Sequence, residues 1–200
     1  MKVIGLTGGI ASGKSTIGRR LESLGAIRID ADQLARDAVA PGSPGLACVV
    51  SRFGADRVLD ERGELDRAAL GTIVFEDPEA LAALNQIVHP EVRRLYERAL
   101  ADASAQSGDA VVVYEIPLLV EAAREMEFDL VVVADAPADL RVERLVQLRG
   151  MAETDARSRI ANQASDAERR AVADVLIDTS ESEAHTLAQV DALWARLVGD

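Results

Sequence analysis

Short apolar runs recur along the chain at Val3 to Thr7, Ala26 to Ile29, Ala110 to Ile116, Leu130 to Ala134 and Val175 to Ile177, with helical-looking stretches between them. After the first run the apolar positions change to helical spacing, at Ile17, Leu21 and Leu24. Runs that are apolar on both pleat faces need cover on both faces, so the pattern predicts an α/β fold built on a five-stranded parallel sheet. The interval 33–106 is too long for one crossover helix. It is mostly helix-like and is punctuated by Pro41-Gly42-Ser43-Pro44-Gly45, Asp77-Pro78 and His89-Pro90. We therefore expect one domain over 1–200, with 33–106 as a helical insertion between the second and third strands. A second polar segment, 141–170, carries seven Arg and few large apolar residues. No internal repeat or low-complexity tract is visible.

Composition narrows the function classes. A chain of 200 residues that is 48% apolar can bury one core. Its net charge of −12 disfavours nucleic acid and anionic membrane surfaces, so neither is an expected partner, and no obligatory protein partner is evident. No run approaches the roughly eighteen apolar residues of a membrane span, and the opening stretch is too short and Gly-interrupted for a signal peptide. Cys48 is alone, which excludes an intrachain disulfide and reads as a small buried residue in a reducing, cytoplasmic setting.

The chemistry starts where the first run ends. Gly8-Gly9-Ile10-Ala11-Ser12-Gly13-Lys14-Ser15 satisfies G-x-x-x-x-G-K-[ST], the P-loop pattern. Backbone N–H groups can wrap a polyphosphate only where side chains leave room, hence glycine at 8 and 13. Lys14 supplies a compact cation and Ser15 a Mg²⁺ ligand, while the helix opening at Lys14 turns its positive end to the phosphates. Gly9, Ala11, Ser12, Gly13, Lys14, Ser15 and Thr16 are thus the expected nucleotide contacts. The chain has twenty Arg but only two Lys, at 2 and 14. Arg's planar fork does not substitute for an ammonium in a tight loop, so the Lys at 14 is informative.

A P-loop binds nucleotide; catalysis needs more. Asp30 and Asp32 end the second run, at the strand edge where open α/β folds bind ligands. A carboxylate there can take a proton from, or orient, a hydroxyl attacking a γ-phosphate, and Asp32 is the stronger candidate. Asp32 also suits the N-cap of a helix beginning near Gln33. Glu115 closes the third run, a position suited to orienting Mg²⁺, although a solvent-facing strand end is the alternative. Glu121 reads as an exposed helical residue.

Arg141 and Arg144 are three apart and share one helix face, followed by Arg149, Arg157 and Arg159. Guanidinium groups on a closing segment stabilise transferring phosphate and exclude water. The alternative is a solvated helix stitched by Glu143, Glu153 and Asp155. His89-Pro90 reads as a helix start with Pro in the first turn, and a lone His without a nearby partner makes a poor metal ligand. His185 and Trp194 fall in a C-terminal helix and read as structural.

Taken in order, these motifs resemble the dephospho-CoA kinases, in the nucleoside-monophosphate-kinase-like group of P-loop proteins. The resemblance spans Val3 to about Asp178. It rests on Leu6-Thr7-Gly8-Gly9-Ile10 running into the P-loop, Ile29-Asp30-Ala31-Asp32 with Ala35-Arg36, and Leu84-Asn85 with Val88-His89-Pro90. Further along it rests on Ile116-Pro117-Leu118-Leu119 with Glu121, and on Arg159-Ile160 with Gln163. It implies phosphorylation of the ribose 3′-hydroxyl of dephospho-CoA by ATP with Mg²⁺. The insertion would form much of the acceptor site and 141–170 a lid. Lys14 would hold the β- and γ-phosphates, with Arg144 also on the nucleotide. Ser15 and Glu115 would serve Mg²⁺, Asp32 the hydroxyl and Arg141 the transferring phosphate. One departure stands out: the family's Asp-Asn-x-Gly after the last strand is Asp178-Thr179-Ser180-Glu181 here, which alters the side chains offered to adenine.

Two other readings use the same residues. A shikimate-like kinase also pairs a P-loop with a strand-end Asp-x-Asp, but its Gly-Gly-Gly acceptor pattern is missing. A non-catalytic nucleotide switch is the other; the Asn-Lys-x-Asp of a GTPase is absent, and Asp60 to Gly63 lies in the polar part of the insertion.

Overall fold

In the computed structural model, which describes residues 1–122 and 126–199, five strands join in one parallel sheet. They are β1 (Lys2–Gly8), β2 (Ile27–Asp30), β3 (Val111–Glu115), β4 (Leu130–Asp135) and β5 (Val175–Asp178), in the order β2-β3-β1-β4-β5. The helices are α1 (Lys14–Leu24), α2 (Ala31–Asp37), α3 (Pro44–Phe53), α4 (Ala55–Val58), α5 (Arg67–Glu76), α6 (Pro78–Gln106), α7 (Leu119–Ala122), α8 (Ala138–Arg149), α9 (Glu153–Ala161), α10 (Asp166–Ala171) and α11 (Glu183–Gly199). Each apolar run of the sequence is a strand, to within a residue or two at its ends. No described helix is long and apolar enough to cross a membrane.

Register is what builds the site. Leu6 of β1 lies opposite Glu115 of β3, Glu115 opposite Asp30 of β2, Gly8 opposite Ala134 of β4, and Asp135 opposite Asp178 of β5. All five strands therefore exit along one edge, and the P-loop leaves β1 there, as ligand sites of open α/β sheets do. Ile4, Leu6, Val113, Val132 and Ile177 pack with Ile17 and Leu21 of α1 and Val190 and Leu193 of α11. That core fixes where α1 begins.

The chain divides into two compact units, Met1–Asp30 with Ala103–Asp200, and Ala31–Asp102. The second division falls inside α6. Within Ala31–Asp102 a separate core gathers Val39, Val49, Phe53, Val58, Leu70 and Ala80. Ser43 caps α3 through Leu46 N at 3.1 Å, with Pro44 following it, and Asp66 caps α5 through Ala68 N and Ala69 N.

Three expectations change here. His89-Pro90 does not start a helix: Pro90 lies within α6, and both residues are exposed, where water is available to the carbonyl that Pro90 leaves unbonded. Cys48 is exposed, because α3 turns Leu46, Val49 and Phe53 inward and leaves position 48 outside. Finally, 141–170 is more than a polar stretch. Val142, Leu145 and Ala156 form a buried cluster with Met151 and Ile160, packed against Ile10 and Ala11 of the P-loop. The side chain of Glu121 lies outside the described residues.

Candidate active site

The P-loop depends on tight backbone approaches. A Cβ at Gly8 would stand 2.9 Å from the Ala134 carbonyl oxygen of β4, so only glycine lets the loop leave the sheet there. Gly13 has φ 86° and caps α1 with no side-chain hydrogen bond, so no side chain competes for the first-turn N–H groups. Ala11, at φ 61°, is the one non-glycine residue with positive φ among those described. Other segments hold this conformation in place. Thr179 donates its hydroxyl to the Ser12 carbonyl at 2.6 Å, and Gln163 accepts from the Ile10 N–H at 2.8 Å. Arg144 donates to the carbonyls of Ala11 at 3.3 Å and Thr179 at 2.5 Å.

Lys14 opens α1 and reaches Glu115 Oε1 at 3.0 Å, with the Ser15 hydroxyl 3.3 Å from the same oxygen. Glu115 is 2% exposed, so it is not a solvent-facing strand end. Its other oxygen, Oε2, accepts from Arg28 Nε and Nη2, both at 2.7 Å. Burial works against the Arg28 cation, but the hydrogen bonds and charge of Glu115 outweigh it and move its pKa up.

α8 brings a second cation to the loop. Arg141 is 2% exposed and donates through Nε to the Ala136 carbonyl at 3.1 Å and through Nη2 to Asp166 at 2.5 Å. Asp166 also pairs with Arg169 at 3.2 Å. Arg141 Nη1 has no hydrogen-bond partner, and it occupies the space where a Cβ on Gly9 would stand. Ser12 Oγ is likewise buried without a partner. Buried polar atoms are rarely left unsatisfied except where a ligand or water completes them. Two such atoms in and beside one phosphate loop mark where an anion fits.

The expected residues thus separate. Lys14, Ser15 and Glu115 meet, as do Arg141 and Arg144 with the loop at Gly9 and Ala11. Arg149, Arg157 and Arg159 are exposed, and Arg157 pairs on the surface with Glu153 at 2.9 Å and Asp139 at 3.1 Å. Asp32 is exposed and is the second residue of α2, so it is not the N-cap that the sequence allowed. At the departure after β5, Asp178 is held below the ordinary carboxylate range by the Ser180 hydroxyl and amide, and Thr179 braces the P-loop. His185 lies in α11, 3.6 Å from Glu181.

Sequence reasoning missed Arg28, Asp166 and the bracing by Thr179. Arg28 carried one signal, a charged residue between Ile27 and Ile29 in the otherwise apolar run Ala26 to Ile29.

A parallel sheet in this order, with a P-loop at its exit edge, a half-buried Lys14 on the loop and a buried Arg141 beside it, defines a P-loop kinase-type phosphotransferase. The dephospho-CoA kinase family model matches residues 2–185. A protein of Leifsonia xyli named dephospho-CoA kinase is 54% identical over 199 residues, covering all of both chains. A solved structure from Thermus thermophilus shares 34% identity with TM-score 0.81, over 98% of this chain and 97% of that one. The dephospho-CoA kinase structure of Campylobacter jejuni shares 26% with TM-score 0.68 at the same coverage. The chain belongs to the dephospho-CoA kinase family.

Proposed function

We propose that this protein transfers the γ-phosphoryl group of ATP to the ribose 3′-hydroxyl of dephospho-CoA, in the cytoplasm and with Mg²⁺. The observation that carries phosphoryl transfer is the buried Arg141 with an unpartnered Nη1 set against Gly9 of the P-loop. Family membership supports the choice of acceptor. The 3′-oxygen attacks the γ-phosphorus as its proton passes to Asp32 or to solvent, the bond to the β–γ bridging oxygen breaks, and ADP leaves with that electron pair. Lys14 and the loop amides hold the β- and γ-phosphates, while Arg141 donates to oxygens that gain charge during transfer. Arg144 holds the loop that carries the nucleotide. The Ser15 hydroxyl and Glu115 are hard oxygen donors that fit Mg²⁺, which when bound neutralises charge on the phosphates. As the family resemblance implies, 33–106 would supply much of the acceptor site and 141–170 a lid.

Incubation with ATP, Mg²⁺ and dephospho-CoA should give CoA and ADP in equal amounts, read by mass spectrometry. Transfer to shikimate or a nucleoside monophosphate instead would move the assignment to that acceptor. Acceptor-independent binding without ADP release would leave a switch.

Asp32 is assigned to the 3′-hydroxyl, supported by its place two residues beyond the end of β2. Because it sits inside the first turn and is not the cap, Asp32→Asn should cost under about 1 kcal/mol, the scale of a helix-dipole contribution. kcat should fall about 10²-fold or more if the carboxylate engages the hydroxyl. Melting temperature and kcat together check this; an Asn variant that is both stable and fully active removes Asp32 from the chemistry.

A further inference from the structure

Lys14 meets its phosphate role already engaged. Its ammonium is hydrogen-bonded to a carboxylate that is almost wholly buried, 3.0 Å away. To move onto nucleotide phosphates it must leave Glu115, and a buried carboxylate stripped of its cation is strongly destabilised. Without a metal ion on the carboxylate, another group must keep that charge compensated.

Arg28 is built to do so. Two of its nitrogens bond Glu115 Oε2, each at 2.7 Å, leaving Oε1 to Lys14 and Ser15. The two cations divide the carboxylate between them. Arg28 is itself anchored, with Asp30 at 3.7 Å and Glu22 at 3.8 Å. The helix above makes room for the pair: a Cβ at Gly18 of α1 would come within 3.0 Å of both Arg28 Nε and Glu115 Oε2. A mid-helix glycine is destabilising relative to alanine, and here the close passage of the pair explains it.

We propose that Arg28 is a positioning residue for nucleotide binding: it holds Glu115 charged and in place through Oε2, so that Lys14 can transfer from Oε1 to the nucleotide's phosphates. Among the described residues, Lys14 and Arg28 are the cations paired with Glu115. Without Arg28 the carboxylate would grip Lys14 alone, and phosphate would have to compete with that grip. Arg28 therefore acts on nucleotide affinity through Glu115, without touching the nucleotide. The inference rests on Lys14 being the phosphate cation.

The test is the Kd of ATP measured by calorimetry in EDTA, which isolates phosphate binding from metal and turnover. Arg28→Met should weaken binding about tenfold, and Arg28→Lys, which keeps a point charge but loses the fork, about threefold. In a Glu115→Gln background Lys14 has no carboxylate to leave, so adding Arg28→Met should change Kd by less than about twofold. Equal weakening in both backgrounds would make Arg28 a general cation of the site and overturn the proposal, as would unchanged affinity in Arg28→Met. Should Arg28→Met alone fail to fold, Arg28→Lys in the two backgrounds gives the same comparison. Lys14→Ala separates the premise: unaltered ATP affinity there would remove Lys14 from phosphate binding, whatever Arg28 does.

Discussion

Lys14→Ala should reduce kcat by about 10³-fold or more while the protein melts close to the parental temperature. The kinetic loss follows from removing the cation proposed to neutralise phosphate charge in a reaction whose catalysis is almost entirely positioning and electrostatics. The intact fold follows from the second cation beneath: Glu115 keeps both bonds from Arg28, so truncating Lys14 does not orphan the carboxylate. Lys14→Arg should fail nearly as badly. The loop around it has no slack, with Gly13 at φ 86° and the Thr179 side chain 3.3 Å from where a Cβ at 13 would be. A guanidinium needs more width than that loop offers. Near-parental kinetics in Lys14→Arg would count against the phosphate role.

Replacing Arg141 should produce the second large effect, in kcat more than in ATP affinity. Its free Nη1 is the donor placed beside Gly9, and a contact that strengthens as charge shifts to the transferring group lowers the barrier more than it tightens the ground state. Loss of one such preorganised donor is worth about 10²–10³ in kcat. Arg141→Lys is the cleaner variant, because it keeps a positive charge near Asp166 while losing the fork. Asp166 also retains Arg169, so the thermal shift should be modest. Steady-state kcat beside a directly measured ATP Kd checks the split. If only the Kd moves, Arg141 contributes to binding alone; if neither moves, the guanidinium is structural.

Much of this was legible because it is local. Five apolar runs became five strands, since β-branched residues buried on both pleat faces have few other stable arrangements. The P-loop was readable because its requirements fall on consecutive residues. The cap allowed at Asp32 and the helix start at His89-Pro90 were misread for the opposite reason. One residue of helix phase separates a cap from a first turn, and Pro90 is tolerated inside α6 because that position is exposed.

The sequence by itself determined the α/β class, the P-loop, and the identity of its lysine. Only the tertiary structure decided what surrounds that lysine. Arg28 meets Glu115 across 87 residues of sequence, Gln163 meets Ile10 across 153, and Thr179 meets Ser12 across 167. Such pairs leave no periodic trace, because a polar side chain carries the same pattern whether it faces water or a partner. Sheet register chooses the partner. Setting Glu115 level with Leu6 and Asp30, and Ala134 level with Gly8, brings distant charges to one edge, where burial makes each of them need the others.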